Sequence, residues 1–300
     1  MSLREGLPLS PSRALRFPWM KLLITGAGGM LGTDVQTGAR AADVEVVALA
    51  RAELDISDRD AVAAVIAVAR PDAVINCAAY TNVDRAESDR AAAAAVNAAG
   101  AGFVAAAAAA VGAWVVHVST DYVFDGTKIA PYVESDPTGP RSVYGSTKLE
   151  GERSVALGAP DRHTIVRSSW LFGNAGPCFP ATMLKLAEER DSLNVVDDQV
   201  GCPTFTGHLA QALVALAAGT RILGVVHVAA AGQCSWFDFA VEILRVSGAS
   251  AEVRPCSTDE FPRPARRPAY SVLRSERPGA PVLPDWRSGL DAYLNARVTA

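Results

Sequence analysis

At 300 residues the chain has room for one large α/β domain, or for a main domain with a smaller appendage. Half of its residues are hydrophobic and a fifth are charged, which suits a well-buried soluble core, and a formal net charge of −4 gives no electrostatic reason to expect nucleic acid or an acidic membrane as partner. The five cysteines (Cys77, Cys178, Cys202, Cys234, Cys256) form no C-x-x-C pair, and an odd number excludes a complete intrachain disulfide set, so they read as reduced thiols of a cytoplasmic protein with no metal site.

Residues 1–19 contain three prolines and no uninterrupted apolar run, unlike a signal peptide, and are expected to form a poorly ordered extension. Regular structure is expected from Met20. Lys21–Thr25, Val44–Ala50, Ala73–Asn76 and Trp114–Ser119 are short β-branched runs that predict buried parallel strands. Between them, Met30–Arg40, Asp58–Arg70 and Asp84–Val111 have helix length and composition. A helix from Ser142 to about Leu157 and a strand at Thr164–Arg167 continue the alternation. Repeated β-α-β units predict an α/β fold, a Rossmann-type doubly wound parallel sheet. Ala91–Val111 is about as long as a membrane span. Its alanines, with Asn97, Gly100 and Gly102, predict instead a buried crossover helix lying close against the sheet.

After Trp170 the alternation loosens. Strands at Leu193–Val196 and Val225–Val228 are interleaved with helices near Thr206–Ala218 and Trp236–Val246. A proline- and arginine-rich loop, Phe261–Pro268, and a terminal helix after Pro284 follow. Residues 20–170 therefore read as a dinucleotide-binding domain and 171–300 mainly as a smaller C-terminal substrate lobe, with no linker to mark the boundary.

Candidate binding residues begin where the first strand ends. Gly26, Gly29 and Gly32 form a G-x-x-G-x-x-G turn between strand and helix, the context a pyrophosphate cradle requires. The second strand ends in Ala50-Arg51 without an acid. An Asp or Glu there suits the ribose of NADH, and an Arg suits the 2′-phosphate of NADPH, so NADPH is favoured over NADH unless Arg51 is a plain surface charge. Asp55 either caps the following helix or sits by the adenine. Asn76-Cys-Ala-Ala-Tyr80-Thr81 ends the third strand, with small residues leaving room for a cofactor. Asn76 is equally suited to a turn role.

Tyr144 and Lys148 lie four apart, on one face of a helix. A nearby ammonium stabilises tyrosinate and is expected to lower the phenol's pKa toward the working range. Thr120, at the end of the preceding strand, is placed to orient a substrate carbonyl, although Ser-Thr-Asp also caps loops.

Taken together, the glycine turn, the Asn76–Thr81 segment, Ser119-Thr-Asp-Tyr-Val-Phe124 and Tyr144/Lys148 resemble the extended short-chain dehydrogenase/reductase family. More specific parts of the resemblance are Val83-Asp-Arg-Ala-Glu-Ser88, Arg167-Ser-Ser-Trp-Leu-Phe172 and Asp197-Asp-Gln-Val-Gly-Cys-Pro-Thr204. It implies NAD(P)H-dependent reduction of the C4 keto group of dTDP-4-dehydro-6-deoxy-L-mannose to dTDP-L-rhamnose, in a monomer or a homodimer. Tyr144 would be the proton donor, Lys148 its partner and ribose anchor, and Thr120 the carbonyl orienter. Gly29, Met30 and Leu31 would hold the pyrophosphate. Asp55 and Ile56 would lie near the adenine, and Ala79, Tyr80 and Thr81 along the cofactor. Thr120, Asp121 and Trp170 would touch the dTDP-sugar, and Arg263, Arg266 and Arg267 either meet its diphosphate or form a solvated loop.

Two rivals remain. A dehydratase or epimerase of the same family is one, although dehydratases resemble one another in a Thr-Asp-Glu sequence, and here Tyr122 follows Thr120-Asp121. A non-catalytic subunit resembling the regulatory subunit of methionine adenosyltransferase is the other.

Overall fold

The structure, a computed structural model, describes residues 16–298 apart from Pro18. Most of the expected N-terminal extension thus lies outside the described residues. Phe17 is within them: its N–H donates to the Ala42 carbonyl at 2.8 Å, and its ring packs against the core.

β1 (Lys21–Thr25), β2 (Glu45–Leu49), β3 (Ala73–Asn76), β4 (Trp114–Thr120) and β5 (His163–Ser168) pair in parallel. The short strands β6 (Leu171–Phe172), β7 (Ser192–Val196), β8 (Val200–Gly201) and β9 (Thr204–Phe205) lie outside this sheet, and β10 (Gly224–His227) completes it against β5. The order is β2-β1-β3-β4-β5-β10. Chain growth reverses between β1 and β3, and the crevice at the carboxyl ends beside that switch point is where open α/β sheets take ligands.

Period-two alternation sends Leu22 and Ile24 to one face and Leu23 to the other, so each strand feeds two cores. On the Leu23 side the cover is α2 (Arg59–Ala69), α5 (Ala101–Ala110) and α6 (Val143–Gly158). The other face is covered by α1 (Met30–Ala41) and α8 (Thr206–Ala218). Between β3 and α5 lie two short helices, α3 (Val83–Ala86) and α4 (Arg90–Ala94), and a π-helical stretch, Ala95–Gly100. The single helix expected over Asp84–Val111 is therefore interrupted: Asn82 caps α3 by accepting from the Arg85 N–H, and the chain turns before Arg90.

By length and composition Arg90–Ala110 is apolar enough to cross a membrane. Ala98, Ala101, Val104, Ala105 and Ala108 are buried against neighbouring helices, as expected of a crossover helix. Small residues on this segment and on α6 set the spacing. A Cβ on Gly151 would fall 2.0 Å from the Asn97 carbonyl, and one on Gly102 would fall 2.9 Å from Ser154.

The second lobe is built by α7 (Phe179–Glu189), β11 (Cys234–Ser235), α9 (Trp236–Ser247), β12 (Glu252–Cys256) and α10 (Trp286–Val298). Phe172, Met183, Leu193, Phe239, Ile243, Trp286 and Tyr293 fill its core, while β12 pairs in parallel with β7. The division at residue 170 needs correction. α8 packs on α1 and β10 pairs with β5, so 206–227 belongs largely with the main sheet. The reason is visible in α8 itself: Leu209, Ala210, Ala212, Leu213, Leu216 and Ala217 are all buried, more apolar surface than one face of a small lobe can cover.

Candidate active site

At the carboxyl end of β1, Gly26 has φ +67°, and a Cβ there would lie 2.6 Å from the Ala78 backbone. A Cβ on Gly32 would lie 2.3 Å from the Gly26 carbonyl. Gly29 is the N-cap of α1 with no side chain to satisfy the first-turn amides, and Gly28 and Gly29 are exposed. Met30 and Leu31 open the helix. Bare N–H groups, a helix dipole and absent Cβ atoms together fit a pyrophosphate.

Arg51 follows the tip of β2, is exposed, and lies 3.7 Å from Asp55. The Asp55 carboxylate accepts from the Ser57 hydroxyl and N–H, which holds its pKa below the usual range. Asp58, rather than Asp55, caps α2 through the Asp60 and Ala61 amides. Ile56 is a core residue packed on Gly100. Ala79, Tyr80 and Thr81 leave β3 along the crevice. There the Tyr80 N–H donates to Asn97 Oδ1 at 2.8 Å, while Asn97 Nδ2 donates to the Tyr80 carbonyl and, at 3.1 Å, to Thr147 Oγ1. Asn97 thereby ties the β3 edge to α6. It was missed as a site residue, although a lone amide in an alanine run was its available signal.

Ser142 caps α6 by accepting from the Gly145 N–H, and the Glu87 carboxylate accepts from the Val143 N–H at 2.8 Å. This anchoring sets Tyr144 in the first turn and Lys148 in the next. The Tyr144 ring meets Tyr122 edge-on, with centroids 5.5 Å apart. Thr120, at the tip of β4, donates to Asp121 Oδ1 at 3.0 Å, and its hydroxyl also interacts with the Tyr144 phenol. Burial pushes the phenol up to about 12, against the opposing pull of Thr120. That reverses the expected lowering by Lys148. The Lys148 amine, 2 % exposed, instead donates to the Val118 carbonyl at 2.7 Å, and burial depresses it to about 8. A phenol that keeps its proton is a donor, which suits reduction. Burial also raises the Asp121 carboxyl to about 6, against the Ser271 and Thr120 hydroxyls. Beneath α6, Glu152 receives two bonds from Arg167 (2.8 and 2.7 Å) and one from the Ser119 hydroxyl (2.6 Å).

Beyond Tyr122 opens a cleft of about 1020 Å³. Its walls include Phe179 and Met183 of α7, Asn194 of β7, Trp236 of α9 and the Thr258–Ala269 loop. Trp170 does not itself line this cleft. With φ +48°, it is clamped against Gly201 and stacks on Trp236 at 3.6 Å with 2° between the rings. Trp236 is the indole facing the cleft, a residue whose place in a helical pattern gives no sign of a site. Of the three arginines, Arg267 pairs in bidentate fashion with Asp84, and Arg263 lies 4.0 Å from the same carboxylate. Asp84 therefore pins this loop to the sheet domain. Arg266 lines the cleft and makes no ion pair among the described residues.

Residues 20–298 match the family described as RmlD substrate binding domain. The dTDP-4-dehydrorhamnose reductase of Mycolicibacterium smegmatis is 46% identical over 286 residues, 93% of this chain and 86% of that protein. A solved dTDP-4-dehydrorhamnose reductase from Clostridium acetobutylicum superposes with a TM-score of 0.90 at 44% identity, covering 93% of this chain and all of that one. Another, from Bacillus anthracis in complex with NADP, gives 0.89 at 37% identity over 92% of this chain and 99% of its own. With that family matched over residues 20–298 and a curated relative 46% identical over most of both chains, the chain belongs to the RmlD substrate-binding family.

Proposed function

We propose that the chain reduces the C4 keto group of dTDP-4-dehydro-6-deoxy-L-mannose, giving dTDP-L-rhamnose. The observation that carries this reading is a Tyr144 phenol held protonated beside the Thr120 hydroxyl, at the sheet edge next to the switch point. NADPH or NADH supplies the hydride when bound. The first turn of α1 would hold its pyrophosphate and Lys148 its ribose, and Arg51 favours the 2′-phosphate of NADPH. Thr120 and Tyr144 grip the substrate carbonyl, so positioning contributes much of the rate, and Tyr144 gives its proton to the forming alkoxide. The cleft beyond Tyr122 is large enough for the dTDP portion, with Trp236 offering a flat apolar wall and Arg266 a cation without an ion pair among the described residues. All five cysteines are free thiols, which supports a reducing, cytoplasmic setting.

The test is NAD(P)H consumption with the keto sugar generated in situ. Tyr144→Phe should lower kcat by about 10³-fold, within the range for loss of a positioned acid, while NADPH affinity stays within about twofold. Full turnover by that variant would exclude Tyr144 as the proton donor.

A further inference from the structure

Behind Lys148 runs a row of buried polar groups that the reduction chemistry leaves unused. Thr25 of β1, Asn76 of β3 and His117 of β4 are at most 1 % exposed. In the sheet register Thr25 lies opposite Asn76, and Asn76 opposite His117. The Thr25 hydroxyl donates to Asn76 Oδ1 at 2.7 Å, and the Ala78 N–H donates to the same oxygen at 3.1 Å. A backbone N–H cannot donate to an amide NH₂, so the Asn76 orientation is fixed, with Nδ2 toward His117. That nitrogen lies 3.2 Å from His117 Nδ1, which must accept. Burial, then the charge on Lys148, holds the imidazole neutral, well below its ordinary pKa. Its one proton is therefore on Nε2, 3.5 Å from Lys148 Nζ. Such a donor attracts a neutral amine, whose lone pair accepts, and repels an ammonium.

We infer that His117 is a positioning residue for the Lys148 proton: locked in the Nε2–H tautomer by Asn76, it favours the neutral amine. The other groups around Nζ are accounted for. The Val118 carbonyl and the Glu152 carboxylate favour the ammonium, while the Cys77 thiol, pushed up by burial to about 12, stays uncharged. Lys148 thus titrates near pH 8 while His117 keeps its own proton throughout. The use of this device rests on the proposed reduction, but the titration belongs to the protein alone.

Lys21, Lys128, Lys148 and Lys185 are the chain's lysines, so ¹³Cε-lysine NMR of the full chain resolves each titration, with Lys148→Met assigning the signal. In the unaltered protein Lys148 should titrate near 8, far below the ordinary lysine value of 10.5. His117→Leu removes the donor and keeps the site apolar. Added burial alone would lower the midpoint or leave it unmoved, whereas loss of the donor should raise it by on the order of one pH unit. His117→Gln, with Oε1 accepting from Asn76 and Nε2–H facing Lys148, should restore the original midpoint. Asn76→Asp keeps the Thr25 and Ala78 bonds but draws the imidazole proton to Nδ1, so it should raise the midpoint as well, and it serves should His117→Leu fail to fold. Fold is read from the other three resonances and the thermal midpoint. A midpoint unmoved or lowered in the folded Leu variant, or in Asn76→Asp, overturns the inference; so does a Gln variant that behaves like Leu. Because no substrate is needed, a protein that titrates as expected yet reduces no keto sugar would sink the proposed function alone.

Discussion

On the β1 side of the crevice the groups proposed to meet a ligand are backbone amides, exposed because Gly26, Gly29 and Gly32 carry no Cβ. On the β4 side they are side chains: Thr120, Tyr144 and Lys148, supported from below by Asn76, His117, Glu152 and Arg167, all 6 % exposed or less apart from Tyr144. The first side works by leaving space empty, so it is sensitive to added atoms. The second works by pairing the charges and dipoles of these supporting groups, so it is sensitive to missing ones. One fold therefore holds two kinds of fragility within a single crevice.

The sharpest way to expose the second kind is Glu152→Ala. The Arg167 guanidinium and its partner carboxylate are each 5 % exposed at the side chain, and the Ser119 hydroxyl shares Oε1. Deleting the carboxylate strands a buried cation, which should cost about 3–5 kcal/mol of unfolding free energy. Denaturant unfolding would read this directly. A loss below about 1 kcal/mol would mean that Arg167 finds solvent or another acid, and the claim that this side depends on pairing would not stand.

Gly32→Ala probes the other kind. Its Cβ would fall 2.3 Å from the Gly26 carbonyl and 2.8 Å from Ala27 Cα, both backbone atoms that cannot swing aside. The turn must open, which misaims the first amides of α1. NADPH affinity, measured by fluorescence titration, should fall about 100-fold, or about 2.7 kcal/mol. Once coenzyme is saturating, kcat should change far less, because Thr120 sits on β4 and Tyr144 on α6, away from this turn. A variant with normal affinity and poor kcat would invert the contrast between the two sides.

The same contrast explains what the sequence disclosed. β1 and β3 fall where their apolar runs predict them, and α8 spans Thr206–Ala218 as its composition indicates. The glycine turn was legible because an absent Cβ is written at a single position. The supporting row under Lys148 was not. Asn76, His117 and Lys148 stand on two strands and a helix, and only sheet register brings them together. Tyr144 and Lys148 stand out by their spacing only together with Ser119-Thr-Asp121, and the expected lowering of the phenol is reversed, because burial outweighs a neighbouring charge whose proton is already engaged by Val118. In the second lobe α7 and β12 escaped notice. β12 contains Pro255 and is mostly exposed, so it lacks the apolar signature of a core strand.

Arg51 offers the finest division between the two sides, since it is a side chain proposed to serve the backbone-built one. Its guanidinium is 84 % exposed, and its nearest carboxylate, Asp55, is already occupied by Ser57. Little therefore holds it away from a 2′-phosphate arriving at the tip of β2. Arg51→Glu places an acceptor where a ribose 2′-hydroxyl would donate and where a phosphate would be repelled. The ratio of kcat/KM for NADPH to that for NADH should drop about tenfold or more, with most of the change in KM for NADPH, and the drop should shrink as salt is raised. Stability should be unaffected, because nothing buried is lost. If the ratio does not move, Arg51 is an ordinary surface charge, and coenzyme choice on this side is made by backbone shape alone.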